Sequence, residues 1–225
     1  MKPRIKIIPA LLLAALLAAS CAGKKLSPEL KDGPGYTKVN NNLHQLDGPP
    51  PGEPAQAFRL YRSGAPSQET FAKWCSEYGI ERVIVLAGTA EKYEFAYQSQ
   101  GVCPGIQVIY NVHQTVGEPV SDKFLQWFDS QIAAARRDHV GLLLRCQTGS
   151  HRAGRLSAYY QMKDQGLSAE DAVGVMNYNG LLMPLFDPAL VPQVEAMDDY
   201  IHDRPCAQKE KACVQMNSDA YLPRP

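Results

Sequence analysis

The hydrophobic pattern between residues 58 and 202 predicts strands that alternate with helices. Stretches that are apolar throughout, or that alternate with polar residues, predict strands over residues 58–62, 80–86, 106–110 and 140–144. Apolar residues at helical spacing predict helices over residues 67–78, 91–100 and 121–137, and further helices from 153, from 168 and over 191–201. This alternation predicts an α/β fold, with a central, mainly parallel sheet flanked by helices on both faces.

The N-terminus has the pattern of an export signal. Basic residues at positions 2, 4 and 6 precede an apolar stretch over residues 7–19, too short for a spanning helix. The small residues 18–20 before Cys21 resemble a bacterial lipobox, which implies that Cys21 carries a lipid. We therefore expect a lipoprotein, exported to the periplasm and anchored to the membrane. An ordinary signal peptide cleaved nearby is the alternative.

Composition divides the remaining chain into three parts. Residues 21–57 are rich in glycine and proline and predict a flexible tether, residues 58–204 are long enough for one domain, and residues 205–225 form a C-terminal tail. Loss of residues 1–20 leaves 20 basic and 23 acidic residues, a net charge of −3. Such a balance provides no general attraction for nucleic acid, and we expect no nucleic-acid partner.

Six cysteines have different predicted roles. Cys206 and Cys213 could close a small loop in an oxidising compartment. For Cys75 and Cys103, a disulfide and two reduced buried thiols are equally compatible with the sequence. No cysteine and histidine spacing is typical of a zinc site, so we expect no metal.

The most informative motif places Cys146 and Arg152 six positions apart, between the strand at 140–144 and a helix. Backbone N–H groups at such a strand-to-helix turn can bind a dianion, and Gly149 provides the backbone freedom that the turn needs. The planar Arg152 side chain can bind two phosphoryl oxygens, while the same positive field favours a Cys146 thiolate. The alternative interpretation is that Cys146 is a small buried residue of the core without a catalytic role.

Several segments together resemble the cysteine-dependent dual-specificity phosphatases of the protein tyrosine phosphatase superfamily, in particular small bacterial members. The resemblance runs from about residue 58 to 200 and rests on the Cys-x-x-Gly-x-x-Arg loop and on segments 61–66 (YRSGAP), 79–84 (GIERVI) and 166–172 (GLSAEDA). It implies a phosphocysteine intermediate on Cys146, with no cofactor. The phosphate oxygens would bind Arg152 and the backbone of the loop residues Gln147, Thr148, Gly149, Ser150 and His151.

Two residues depart from the family pattern. Arg145 occupies the position before the nucleophile, where histidine is usual, and Ala153 replaces the serine or threonine whose hydroxyl stabilises the departing thiolate. We expect a slow enzyme, or one in which Ser150 or Ser157 compensates. Arg145, His151 and Arg155 are also expected to raise the positive potential near the loop, while Arg62 could face the site or tie a turn to the sheet.

A general acid must protonate the leaving oxygen, and the resemblance implies an acid on a loop roughly 30 residues before the cysteine. Glu118, 28 positions upstream, is the first choice because Gly117 and Pro119 place it on a loop. His113 is the second candidate, and Asp122 is expected to cap a helix.

Three functions remain open at the level of sequence. The first is a phosphomonoesterase acting on phosphotyrosine or another phosphoprotein, or on inositol polyphosphates, which some secreted bacterial relatives hydrolyse. The second is a membrane-anchored module that binds phosphate without turning it over. The third is a thiol oxidoreductase, which the sequence disfavours because Cys146 has no second cysteine nearby to resolve a disulfide.

Overall fold

A computed structural model describes residues 35–36, 38, 41–52, 56–180 and 187–223. The predicted signal, residues 1–20, and the predicted lipidation site, Cys21, lie outside these residues. No helix in the described ranges combines the length and hydropathy needed to cross a membrane.

Five strands and six α-helices lie within the described residues. In chain order they are β1 (His44–Asp47), β2 (Arg59–Ser63), α1 (Gln68–Ser76), β3 (Ile80–Val85), α2 (Glu94–Gln98), β4 (Gln107–Asn111), α3 (Asp122–Asp138), β5 (Gly141–Arg145), α4 (Arg152–Gln165), α5 (Ala169–Tyr178) and α6 (Leu190–Ile201). Short 3-10 helices cover Ala90–Lys92 and Glu210–Ala212. The strands and helices predicted from periodicity are present with small shifts at their ends, except for the helix predicted over residues 91–100.

The sheet has the order β1-β2-β5-β3-β4, and β5 is its central strand. β5 pairs in parallel with β2 and β3, β3 pairs in parallel with β4, and β1 alone is antiparallel. Leu142 and Leu144 pack with helices α3 to α6 on one face, whereas Leu143 packs with Phe71 and Trp74 of α1 on the other. The mainly parallel sheet covered on both faces is therefore confirmed.

Serine caps begin three of the helices. Ser67, Ser121 and Ser168 each accept a hydrogen bond from the backbone N–H three residues later, at 3.1 Å. These bonds satisfy N–H groups that a helix start leaves unpaired. Ser121 rather than Asp122 is the cap of α3, and Asp122 lies in its first turn.

The prediction of a tether over residues 21–57 is wrong for residues 44–47, which form β1. Leu43 and Leu46 are buried, and β1 extends the sheet beside β2. A four-residue edge strand flanked by asparagine, glycine and proline has too few apolar positions to be recognised by periodicity.

The single helix predicted over residues 91–100 is also wrong in detail. A 3-10 turn is followed by the short helix α2, and the break falls at Tyr93, whose φ of −122° and ψ of −82° are not helical. The break allows Glu94 to turn into the protein, where it is fully buried.

Both possible disulfides are formed. Cys75 at the end of α1 is bonded to Cys103, and Cys206 is bonded to Cys213. Among the described residues Cys146 is then the free cysteine, and it is buried. The disulfide alternative left open for Cys75 and Cys103 is the one that the structure adopts.

Candidate active site

The Cys146 loop lies at the carboxyl edge of the sheet, where β5 ends between its two parallel neighbours. Arg145, the last residue of β5, is in register with Ser63 of β2 and Val85 of β3. The Cys146 N–H donates to the Ser63 carbonyl at 3.3 Å. Ligands of open α/β sheets bind at this edge, so the fold brings the candidate nucleophile to the expected place.

The loop is held tightly around Gly149. Its φ of 76° lies in the left-handed region, and a Cβ at this position would come within 2.7 Å of the Gly64 nitrogen and the Ser63 carbonyl carbon. Any other residue would therefore be strained and would collide with the backbone. The expectation that Gly149 provides backbone freedom agrees with this geometry.

The environment of Cys146 favours a thiolate. Burial by itself would raise the pKa of this thiol, but hydrogen bonds from the backbone N–H groups of Ala153, Thr148 and Gly149, together with the charge of Arg152, lower it below its usual value. Amides and a guanidinium that converge on one buried sulfur are the features that activate cysteine nucleophiles.

Arg152 begins α4 and reaches across the carboxyl edge of the sheet. Its NH1 lies 3.3 Å from the carbonyl oxygens of Leu86 and Gln114 and 3.5 Å from Nδ1 of His113. Its Nε is buried and has no hydrogen-bond partner among the described residues. A buried donor of this kind fits an oxygen of a bound phosphoryl group, because a guanidinium presents its donors as a planar fork.

Arg145 does not point its charge at the phosphate loop. Its guanidinium binds the Glu94 carboxylate side-on with two nitrogens: Nε donates to Oε1 at 2.5 Å and NH2 donates to Oε2. The third nitrogen, NH1, donates to Thr89 Oγ1 at 2.9 Å. Both side chains are fully buried. The expected contribution of Arg145 to the positive potential is thus cancelled by Glu94, a partner that sequence spacing could not reveal.

Arg155 is a second buried arginine, one turn into α4. It donates to the Glu118 carbonyl at 2.7 Å, to Gln114 Oε1 at 3.1 Å and to Gln193 Oε1. Burial lowers the pKa of this guanidinium to about 10. Because two of these acceptors lie on the loop between β4 and α3, Arg155 anchors the loop that carries the acid candidates.

The three acid candidates occupy different positions on that loop. His113 is nearest to Arg152, and its Nδ1 lies 3.1 Å from the Ala87 carbonyl and 3.5 Å from Arg152 NH1. A carbonyl can only accept and a guanidinium can only donate, so one nitrogen cannot serve both contacts, and the shorter one, to Ala87, favours a protonated Nδ1. The Glu118 Oε2 accepts a hydrogen bond from the Tyr221 hydroxyl at 2.6 Å. Asp122 accepts from the N–H groups of Lys123 and Asn217 and is buried in the first turn of α3.

Sequence reasoning missed the C-terminal segment as part of this site. The Tyr221 hydroxyl also accepts from the Thr115 N–H at 3.1 Å, and the Tyr221 carbonyl accepts from the Tyr110 hydroxyl at 2.8 Å. Ser121 donates to the Ala220 carbonyl at 2.6 Å. The tail has no periodic apolar pattern, so nothing in the sequence pointed to these contacts.

Ser157, one of the two serines proposed to replace the missing hydroxyl at position 153, has its hydroxyl proton bonded elsewhere. The Ser157 hydroxyl donates to the Ala153 carbonyl at 2.7 Å, so its proton is directed along the helix. Ser150 is buried, and its N–H lies 3.4 Å from Thr148 Oγ1. The backbone N–H of Ala153 itself bonds the sulfur and is the group at this position that stabilises a thiolate.

His151, the residue before Arg152, is paired with Asp187. Its Nε2 lies 2.8 Å from Asp187 Oδ2. Burial lowers the pKa of His151, Asp187 opposes the shift, and the charge of Arg152 reinforces it. His151 is therefore a weaker source of positive charge at the loop than its position suggested.

No group of three or more metal-binding side chains lies together within the described ranges. The chemistry that the arrangement can perform is nucleophilic: a low-pKa sulfur, amides aimed at it, and an arginine with a free donor.

Solved structures share the fold of this chain. The structure of P. aeruginosa TpbA matches with a TM-score of 0.54 and 18% sequence identity, over 75% of this chain and 95% of that one. A Cys-to-Ser variant of TpbA in complex with phosphotyrosine matches with a TM-score of 0.54 and 19% identity, over 75% and 94% of the two chains. No protein-family model and no curated protein sequence matches the chain.

TpbA is a member of the protein tyrosine phosphatase superfamily, and this chain has a protein tyrosine phosphatase-like fold, as the sequence resemblance implied.

The buried pair of Arg145 and Glu94 generates a stability prediction. Glu94→Gln leaves the Arg145 guanidinium buried without its counter-charge, so we expect the free energy of unfolding to fall by about 3–5 kcal/mol in urea denaturation. Glu69→Gln, which removes the same charge from an exposed pair with Lys73, should change it far less, because water screens an exposed ion pair. Equal losses in the two variants would contradict the role of burial.

Proposed function

We propose that this protein is a cysteine-dependent phosphomonoesterase. The observation that carries the proposal is the buried Cys146, whose pKa is lowered by three backbone N–H groups and by Arg152 at the edge where parallel sheets bind ligands. The phosphatase fold of TpbA supports it.

The reaction follows from this geometry in two steps. The Cys146 thiolate attacks phosphorus, a phosphorus–sulfur bond forms, and the phosphorus–oxygen ester bond breaks as an acid protonates the leaving oxygen. Arg152 and the loop amides stabilise the charge on the transferring group. Water then attacks the phosphocysteine, loses its proton to the same acid–base residue, and releases phosphate and the thiolate.

Ala153, which replaces the usual serine or threonine of the family that the sequence resembles, affects the second step. The Ala153 N–H stabilises the departing thiolate through a backbone hydrogen bond, but Ala153 has no hydroxyl to add a second one. Hydrogen bonds to charged groups contribute roughly 1.5–3 kcal/mol, so a missing bond corresponds to a rate about tenfold or more lower. Slow hydrolysis of the phosphoenzyme is therefore part of the proposal.

The charges on the acid-loop side of the site favour a singly phosphorylated substrate such as phosphotyrosine, although Lys38 lines a second cavity beside Gln147 and Thr148. A cavity of about 610 Å³ next to the acid loop is lined by the carboxylates Glu118 and Asp219, by Tyr221 and by apolar residues, and its lining includes His113 but no lysine or arginine. The Glu118 carboxylate repels the additional phosphates of an inositol polyphosphate, whereas Asp219 is paired with Lys123 at 2.6 Å and contributes less. Tyr221 can pack against an aromatic ring. The phosphotyrosine complex of TpbA supports the same choice.

A phosphate-binding module without turnover is the second candidate function. Two observations favour it: Ala153 provides no hydroxyl to the sulfur, and the Glu118 carboxylate is bonded to Tyr221. The same loop and Arg152 would then hold a phosphorylated ligand, with Cys146 as a buried thiol.

We also propose that the protein is exported and anchored to a membrane through a lipid on Cys21. The two disulfides support export, because such bonds persist in oxidising compartments and are rare in the cytosol of most organisms.

Thiolate formation at Cys146 is expected below the pH at which an ordinary cysteine ionises. Arg152→Gln should raise the pKa of Cys146, because it removes a positive charge that stabilises the thiolate. The measurement is the ultraviolet thiolate absorbance of each protein against pH, with the Cys146→Ser variant as the blank. Identical titrations with and without Arg152 would contradict the proposed electrostatic role.

Replacement of the general acid should selectively slow the hydrolysis of esters with poor leaving groups. Glu118→Gln is expected to lower kcat/KM for phenyl phosphate by roughly 10²-fold or more and to leave kcat/KM for p-nitrophenyl phosphate nearly unchanged, because kcat/KM reports the first chemical step and nitrophenolate leaves without a proton. His113→Asn is the matched test of the alternative acid. If His113→Asn shows the leaving-group dependence and Glu118→Gln does not, the assignment passes to His113.

Phosphate release from a phosphotyrosine peptide and from inositol hexakisphosphate should separate the substrate classes. We expect at least a tenfold higher kcat/KM for the peptide, because one tenfold step needs only about 1.4 kcal/mol of unfavourable charge interaction. Cys146→Ser is the control and should release no phosphate from either. A wild-type protein no more active than this variant would favour the binding module.

A further inference from the structure

The outer side of the phosphate loop is bonded at three consecutive carbonyls. The Gln147 carbonyl accepts from the Ala65 N–H at 3.0 Å. The Thr148 carbonyl accepts from Asn42 Nδ2 at 3.1 Å, and the Gly149 carbonyl accepts from Arg62 NH2 at 2.6 Å. The donors come from two segments, around residue 42 and over residues 62–65, that are both far from the loop in sequence, so tertiary structure and not local sequence creates this arrangement.

The carbonyl bonds determine where the loop N–H groups point. In a planar trans peptide the carbonyl and the following N–H lie on opposite sides, so a carbonyl held outward turns the next N–H inward. The Gln147 and Thr148 carbonyls precede the N–H groups of Thr148 and Gly149. These are two of the amides that bond the Cys146 sulfur.

Asn42 is built into this position. Its side chain is buried, and its φ of 59° lies in the left-handed region that asparagine tolerates better than most residues. A Cβ on Gly149 would lie 3.1 Å from Asn42 Nδ2, so the amide is packed directly against the loop. Asn42 precedes β1, in the stretch whose composition predicted a tether.

The orientation of the Asn42 amide follows from its neighbours. Nδ2 faces two carbonyl oxygens, of Thr148 and of Asn179, each at 3.1 Å, and carbonyls can only accept. Oδ1 lies 2.9 Å from His44 Nε2, which must therefore carry the proton of that bond. His44 is buried and holds the amide with its donor toward the loop.

We infer that Asn42, oriented by His44, is a positioning residue for the anion-binding amides of the phosphate loop. The inference rests on the proposed function only in that the loop binds a phosphoryl group. Asn42 acts through the Thr148 carbonyl: it turns the Gly149 N–H inward and so prepares the loop to bind the anion.

The test measures phosphate binding separately from turnover. Inorganic phosphate is titrated calorimetrically into the Cys146→Ser protein, with and without Asn42→Ala or Asn42→Asp. Both variants should bind phosphate at least about tenfold more weakly, because a buried carbonyl loses its donor and the loop relaxes. Asn42→Asp should lose more, since its carboxylate repels both the carbonyls and the anion.

Gln45 on β1 provides the matched control. Its Nε2 also donates to backbone carbonyls, those of Asp47, Gly48 and Pro49, but none of them belongs to the phosphate loop. Gln45→Ala and Gln45→Glu should leave phosphate binding unchanged. Equal weakening by Asn42 and Gln45 variants would overturn the inference, because the effect would then be one of general stability.

Kinetics distinguish positioning of the loop from an effect on the acid. In the protein that retains Cys146, Asn42→Ala should lower kcat/KM for p-nitrophenyl phosphate and for phenyl phosphate by the same factor, because the same loop amides bind the phosphoryl group of both esters. If Asn42→Ala fails to fold, His44→Phe serves instead. It should weaken phosphate binding roughly threefold, because the Asn42 side-chain amide loses the bond that fixes its orientation.

The outcomes separate this inference from the proposed function. Unchanged phosphate affinity in a folded Asn42 variant overturns the inference, even if the wild-type protein hydrolyses esters. Weakened affinity without any hydrolysis by the wild type supports the inference and refutes the enzyme. A Cys146→Ser protein that binds no phosphate would overturn the inference as well.

Discussion

A buried sulfur surrounded by inward-facing amides is the constraint on which the site depends. Burial raises the pKa of Cys146, and only the N–H groups of Ala153, Thr148 and Gly149, with the charge of Arg152, reverse that effect. Amides can converge on one point only if their carbonyls bond elsewhere, since an unpaired buried carbonyl is costly. Ala65, Asn42 and Arg62 donate hydrogen bonds to the loop carbonyls and so meet this requirement.

The position before the nucleophile shows how a departure from the family pattern is accommodated. An arginine there would bring an unpaired charge into the core at the end of β5. Instead the helix predicted over residues 91–100 is broken at Tyr93, and Glu94 turns inward to pair with Arg145. The guanidinium also lies over the Tyr93 ring, 5.3 Å from its centroid. The broken helix and the unusual residue are thus two parts of one local solution.

The loop with the acid candidates is held from two sides. Arg155 of α4 bonds its backbone from within, and the segment around Tyr221 bonds it from the C-terminal side. Buried charge and a folded tail therefore restrict a loop that has little regular structure of its own. Restriction of this kind favours a defined position for the residue that transfers the proton.

The sequence by itself determined the order of strands and helices and the Cys146 loop, because hydrophobic periodicity and loop spacing are local properties. It also limited the candidates for the general acid to the segment between residues 111 and 122. Only the tertiary structure decided that residues 44–47 join the sheet, that Glu94 neutralises Arg145, and that Asn42 and Tyr221 contact the site. Each of these contacts joins residues far apart in the chain, and their pairing depends on packing geometry that no local pattern encodes.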